Sequence, residues 1–333
     1  MSVKLVVFDA GDILYTIPKK EKERLIRSFV IKHKGFYDKR EKKIWKKLHK
    51  KAALGKMSRA EAIKGWLREL GLGKEAEKDF KKVEIKLWKL AKRGRNVNRI
   101  LKEMKKKYKL AVLSDSSQTA KEKKETLRLT GVDVEVFDKI FTSHDIGYEK
   151  PHPKSYLAVL KYLGVKPEEA VFIGHDRDEI EGAKRVGMVT ISLRDGRAGA
   201  HFLAKNFLEI KKIVEQIDYD IEDFLGKRVT VKIDRPLGSK HPEWKFMYPT
   251  NYGYVEGYKS KDGENLDAYV LGVFKPLKKF RGECIAIIRR LNDREDKLVV
   301  VPKGKSYSPE QIEALVEFQE RWFKTKVITK RKL

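Results

Sequence analysis

Carboxylates crowd two short stretches in the last third of this 333-residue chain. Asp262-Gly-Glu264-Asn-Leu-Asp267 runs straight into the apolar Ala268-Tyr-Val-Leu271, and Asp293, Glu295, Asp296 and Lys297 precede Val299-Val-Val301. Asn251-Tyr252-Gly253-Tyr254 stands ahead of both. Acids this close repel and raise one another's pKa unless cations neutralise them. Hard divalent ions such as Mg2+ take oxygen ligands and bridge carboxylates to substrate phosphates. Two such ions can activate a water and hold both sides of a phosphoanhydride. The plain alternative is a solvated turn between strands, because Asp, Gly and Asn are turn formers. That alternative is the weaker one for Asp262–Asp267 and stays open for Asp293–Lys297.

A second set of reactive side chains lies in the first half, each just past an apolar run. Asp9 follows Val6-Val-Phe8, Ser114 follows Ala111-Val-Leu113, and Gly174-His175-Asp176 follows Val171-Phe-Ile173. Lys150 sits in Gly147-Tyr-Glu-Lys-Pro151. If the runs are strands of an open parallel sheet, these groups share the edge where ligands bind. A carboxylate nucleophile, a hydroxyl and a lysine for phosphate oxygens, and further acids for Mg2+ compose an aspartyl-phosphate site. Any one of them alone would be ordinary loop chemistry.

The elements that must carry these groups are readable from periodicity. Lys4–Phe8, Leu110–Leu113, Ala170–Ile173 and Val189–Ser192 read as strands, and Val134–Phe141 leads into another. Residues 18 to about 106 are helical in pattern; Trp45, Leu48, Ala52 and Leu54 form one stripe, and Ile63, Trp66, Leu67 and Leu70 a second. Strands alternating with helices predict a parallel sheet interrupted by a helical block. Phe207–Ile217 reads as a closing helix and Asp218–Asp223 as a linker. From Val229 the pattern changes to short strands with Gly/Asp turns. A terminal helix follows, with Ser308 as N-cap, Pro309 at N1 and Gln311 completing a capping box.

The stretch Val229–Lys324 resembles the soluble family I inorganic pyrophosphatases. Asn251-Tyr-Gly-Tyr254 matches that family's NYGY, and Asp262, Glu264 and Asp267 match its three-acid signature. Asp293, Glu295 and Lys297 match the later acid-acid-lysine group, and Lys324 its C-terminal lysine. The resemblance implies metal ligation by Asp262, Glu264, Asp267, Asp293 and Glu295, with Asp267 also positioning or deprotonating the attacking water. It implies substrate contacts from Arg235, Tyr252, Lys297 and Lys324. Glu264 and Glu295 stand where Asp is usual, Phe323 where a Tyr is usual, and an early hairpin of the family has no counterpart. Residues 3–216 resemble the haloacid dehalogenase superfamily through Phe8-Asp9-Ala-Gly-Asp12, Leu113-Ser114, Lys150-Pro151 and Gly174–Gly187. This implies a Rossmann-like α/β domain with a helical cap at about 16–94. It also implies catalytic Asp9, Ser114 and Lys150, with Asp9 and Asp176 on Mg2+. Gly11 replaces the family's second Asp, an acid and base, which weakens the site. His175 replaces a metal-binding Asp; a softer metal there, or transfer of Mg2+ to Asp176 and Glu179, would follow.

The expected organisation is therefore α/β (residues 1–217) followed by a small α+β, barrel-like domain (218–333). The principal expected activity is Mg2+-dependent pyrophosphate hydrolysis in the second domain. A phosphomonoesterase or dehalogenase-like activity at Asp9 is the first alternative, and a non-catalytic binder of RNA or polyphosphate the second. The net charge is +28, and Thr16–Tyr108 holds 33 Lys and Arg against 11 Asp and Glu. That excess reads first as a solvated helical face in a thermophile's protein, and second as attraction of an anionic substrate towards either site. Nucleic acid is not favoured, since Trp45, Trp66 and Trp88 are spaced as helix-core residues rather than as a stacking platform. Without an apolar run of membrane-spanning length, and with Cys284 alone, a reduced cytoplasm is the expected setting. A small-molecule phosphate is the expected partner, and self-association stays open.

Overall fold

The computed structural model describes residues 2–293 and 295–330, the side chain of Lys39 apart. They separate into two compact units, Val3–Lys212 and the residues from Ile213 onward.

The first unit opens with β1 (Leu5–Phe8) and passes into four helices, α1 (Lys19–Lys34), α2 (Lys39–Ala53), α3 (Arg59–Glu69) and α4 (Lys74–Lys89). Asp38 and Ser58 start α2 and α3 with capping boxes, satisfying first-turn amides that would otherwise lack partners. Gly71, in the left-handed region at φ 75°, ends the turn before α4. Phe29, Trp66, Leu67, Leu70 and Phe80 form the block's own core, so the expected stripes do pack inward.

The chain then continues through α5 (Val97–Lys105), β2 (Lys109–Ser114), α6 (Ala120–Leu129), β3 (Lys139–Thr142), α7 (Ser143–Ile146) and α8 (Pro153–Leu163). It closes with β4 (Ala170–Gly174), α9 (Arg177–Arg185), β5 (Val189–Leu193), β6 (Phe202–Ala204) and α10 (Phe207–Ile217). β1, β4 and β5 are buried along their whole length, as strands covered by helices on both faces must be. All six strands are parallel, in the order β3-β2-β1-β4-β5-β6. The chain leaves β1 towards β2 and β3, then returns across it to β4. The crevice where the order reverses therefore opens beside the end of β1. Val134–Val136 is a 3-10 turn rather than strand, and β6 has no signal in the sequence.

The second unit is a closed barrel. It is built from β7 (Arg228–Arg235), β8 (Asn251–Lys259), β9 (Asn265–Val270), β10 (Lys279–Arg290) and β11 (Lys297–Val301), with α11 (Pro309–Glu320) and β12 (Thr325–Thr329) following. The order is β11-β9-β8-β7-β10, and a β10–β11 pairing closes the ring. β12 pairs with the far end of β10. A Cβ at Gly253 would lie 2.0 Å from the Lys232 carbonyl oxygen, so only glycine lets β8 lie so close to β7. Side chains of β9 and β11 alternate between two faces. Leu266, Ala268, Val270, Leu298 and Val300 fill the interior. Tyr252, Tyr269, Val299 and Val301 cluster separately with Ile312 and Val316 of α11. The period of two puts Asp267 and Lys297 on that same outer face. Among the described residues, no helix is long and apolar enough to cross a membrane.

Candidate active site

Phe8 pairs in register with Val112 on one side and Ile173 on the other. The residues after β1, β2 and β4 therefore meet: Asp9, Ser114 and His175. Asp9 and Ser114 are 6% and 3% exposed. Lys150, buried beneath them, donates from Nζ to Asp9 Oδ1 at 2.5 Å and to the Leu113 carbonyl at 3.2 Å. The same ammonium lies 3.0 Å from Glu179 Oε1. Burial opposes its charge, but Asp9, Glu179 and Asp115 outweigh that effect and raise its pKa. Glu179 is pushed up to about 7 by burial, with Lys150 opposing the shift. Asp115 is raised, again first by burial, and its Oδ1 accepts the Lys150 amide at 3.0 Å.

Asp176 does not join this group. It caps α9, its Oδ1 accepting the amides of Asp178 and Glu179. The acid brought to Asp9 is Glu179, one helical turn on. His175 Nδ1 lies 3.8 Å from Asp9 Oδ2, and Nε2 lies 4.0 Å from Asp12 Oδ2. His175 Nδ1 and Glu179 Oε2 are buried and have no hydrogen-bond partner. Ligand atoms of Asp9, His175 and Glu179 lie within 4.8 Å of one another, the one such group of His, Cys, Asp and Glu among the described residues. Gly11 has open space around its Cβ direction and no side chain to offer.

The cap holds a cavity of about 440 Å3, lined among others by Trp45, Trp66, Trp88, His49 and Arg59. Arg59 Nη1 donates to Ser117 Oγ at 2.7 Å, tying this cavity to the loop after β2. Burial, then Arg59 and Lys22, push His49 down to about 4.

In the second unit, Tyr252, Asp267, Glu264, Glu295, Lys297 and Arg235 line a cavity of about 900 Å3. Pairing of Tyr254 with Asp267 and of Leu298 with Ala268 brings β8, β9 and β11 together there. Lys297, 1% exposed, donates to Tyr252 Oη at 2.5 Å, Glu295 at 2.8 Å and Asp267 at 3.1 Å. Tyr252 in turn donates to Asp267. Burial and the Asp267 charge hold the Tyr252 phenol well above its usual range. Arg290 binds Glu295 at 2.7 Å, Asp293 at 3.0 Å and Glu320 through two bonds, and stacks on Phe323 at 3.5 Å. Asp262 accepts the Glu264 amide, and burial raises its pKa. Asp262, Asp293 and Lys324 do not line the cavity; Lys324 is exposed, its amide held by Asn292. Asp267, Asp293, Glu295 and Glu320 are thus paired with Lys297 or Arg290. Arg290 and Glu320 carry no motif that sequence reasoning could use.

The family model described as haloacid dehalogenase-like hydrolase matches residues 27–193, half of the chain. The chain belongs to the haloacid dehalogenase-like hydrolases. That match ends before the second unit begins. The chain is 48% identical over 62 residues to a glyceraldehyde 3-phosphate phosphatase of Methanopyrus kandleri, covering 18% of this chain and 27% of that one. It is 33% identical over 128 residues to the enzyme of that name from Pyrococcus furiosus, covering 38% and 50%. It is 33% identical over 94 residues to the pyrophosphatase PpaX of Bacillus cereus, covering 28% and 42%. The chain thus spans half or less of the length of each. A solved 2-haloacid dehalogenase from Pseudomonas syringae superposes with a TM-score of 0.52 at 20% identity, over 64% of this chain and 98% of that one. This last likeness speaks to the fold of the first unit.

Proposed function

We propose that this hydrolase cleaves phosphorylated small molecules through Asp9. The observation that carries the reading is the buried Lys150–Asp9 contact at the switch point of the sheet. An Asp9 carboxylate oxygen attacks phosphorus, the bond to the leaving oxygen breaks, and the leaving group keeps the bonding pair. Lys150 and Ser114 hold the phosphoryl oxygens as charge moves onto them. Water then attacks the phosphorus of the aspartyl phosphate, releasing phosphate and restoring Asp9. The phosphatase and pyrophosphatase names of the relatives agree with this reading.

Gly11 narrows the substrate. With no side chain there to protonate a departing alkoxide, the site favours leaving groups that depart unprotonated. Pyrophosphate and other phosphoanhydrides, or acyl and aryl phosphates, fit that demand better than sugar or alkyl phosphates. The basic cap draws such anions towards the crevice. Mg2+, the ion expected for the family, is poorly matched by a set that includes the His175 nitrogen. Phosphate release from pyrophosphate, an aryl phosphate and an alkyl phosphate, compared side by side, tests the reading. The alkyl ester should be slowest, and Asp9→Asn should abolish all release at this site.

The second unit supports a further reading, pyrophosphate hydrolysis with Asp267 as the positioning group. The convergence of Tyr252, Asp267, Glu295 and Lys297 in one cavity favours it. In this reading Asp267, Asp293 and Glu295 would exchange Lys297 and Arg290 for Mg2+, with Asp262 and Glu264 completing the ligands. Arg235, Tyr252, Lys297 and Lys324 would then face the phosphates. Loss of pyrophosphate turnover in Asp267→Asn, with Asp9→Asn unaffected, would favour it.

A further inference from the structure

We infer that Asp9, His175 and Glu179 form a site for a borderline transition-metal ion of the Co2+ or Zn2+ kind, in preference to Mg2+. The inference concerns binding alone and holds whichever phosphate is cleaved.

Lys150 consumes one oxygen of each carboxylate, Asp9 Oδ1 and Glu179 Oε1. Asp9 Oδ2, Glu179 Oε2 and His175 Nδ1 remain, and each of the three residues offers a ligand atom within 4.8 Å of the other two. Two of the three are buried without a hydrogen-bond partner. Leaving buried polar atoms unpaired is costly, and each such atom in a folded protein calls for an explanation. An ion bound to all three removes the cost at once. Asp176 lies outside this group, and its Oδ1 caps α9.

The donor chemistry decides which ion. Mg2+ demands near-octahedral oxygen coordination and gives up water reluctantly. Imidazole nitrogen suits Zn, Co, Ni and Fe, and affinity for mixed N/O sites rises from Mn2+ towards Cu2+. On the far side of the ring Nε2 lies 4.0 Å from the Asp12 carboxylate, beyond hydrogen-bond distance.

The test uses the full-length protein, stripped with a chelator and dialysed. Calorimetric titration with Co2+ and with Mg2+ should give Co2+ binding tighter on the order of a hundredfold. Visible d–d bands of bound Co2+ should show a nitrogen donor. His175→Asp should lower Co2+ affinity on the order of tenfold or more and bring Mg2+ level with or ahead of it. His175→Gln, which keeps similar volume without the imidazole, should lose the Co2+ bands while retaining the wild-type circular dichroism spectrum. Equal affinity of the wild type for both ions would overturn the inference. So would a Co2+ spectrum unchanged in His175→Asp, or no binding of either ion.

Discussion

Lys150 Nζ and Asp9 Oδ1 lie 2.5 Å apart, with the lysine side chain wholly buried and the aspartate nearly so. Topology enforces the pair, since the lysine follows β3 and the aspartate ends β1, two strands away in the sheet. Removing the lysine leaves two buried carboxylates, Asp9 and Glu179, without their cation. Lys150→Met should therefore destabilise the first unit by about 3–5 kcal/mol. It should also lower phosphate release on the order of a hundredfold or more. Denaturant unfolding and steady-state turnover on the same preparation check both.

Gly11→Asp should raise turnover selectively. An added Cβ meets no atom within 4 Å there, and the backbone is outside the left-handed region, so the variant should fold normally. Alkyl phosphate turnover should rise on the order of tenfold to a hundredfold, because an acid now protonates the poor leaving group. Turnover of aryl phosphate should change far less. Equal effects on the two esters would show that leaving-group protonation is not what the site lacks.

Arg290 holds the outer face of the barrel together. It is 3% exposed and binds Glu320, which is 4% exposed, through two hydrogen bonds. Arg290→Met leaves Glu320 with only the Tyr269 hydroxyl, which donates at 2.7 Å. A loss of about 3–5 kcal/mol is expected for the second unit. Adding Glu320→Gln should restore part of it, because the stranded charge is then gone.

Stability of the cap should fall as pH drops. His49 titrates at about 4 in the folded state, pushed down by burial and by Arg59 and Lys22. The unfolded value is about 6.5. Between these values the unfolded chain binds the extra proton, so stability present above about 6.5 is lost as pH falls towards 4. Lys19, Lys22, Lys42, Arg59, Glu23, Glu41 and Glu84 also face this cavity and are the same in both variants. His49→Gln should therefore flatten the decline in Tm between pH 7 and 4.5. An unchanged slope would mean that other groups govern it.

Much of the first unit was legible because its signals are local. Buried strands read as apolar runs, and Asp9 and Ser114 announce themselves at the strand ends. Asp176 and Glu179 both offer themselves to a metal in the sequence, because an acid at the start of a helix has two uses. The capping geometry that consumes Asp176 depends on where α9 begins, and that boundary is not written in the residues. The second unit was harder for a different reason. Asp262 to Lys297 reads as a cluster of acids awaiting cations, and two of the cations are supplied from within, by Lys297 and Arg290. Arg290 sits at the end of β10, and only the barrel's closure brings it to Glu320, thirty residues on. The short β6 lacked any pattern to read, being three residues with one exposed. The sequence alone ranks the second unit's chemistry first, whereas family membership and the buried Lys150–Asp9 pair favour the first.

If Asp9 carries the phosphoryl group, a single-turnover reaction with a phosphate labelled at phosphorus, quenched in acid and digested, should trap it there. Label is expected on the peptide containing Asp9, stable to acid, released by base or hydroxylamine, and absent from Asp9→Asn. Phosphate released in the burst with no label on that peptide, or at an undiminished rate from Asp9→Asn, would contradict it.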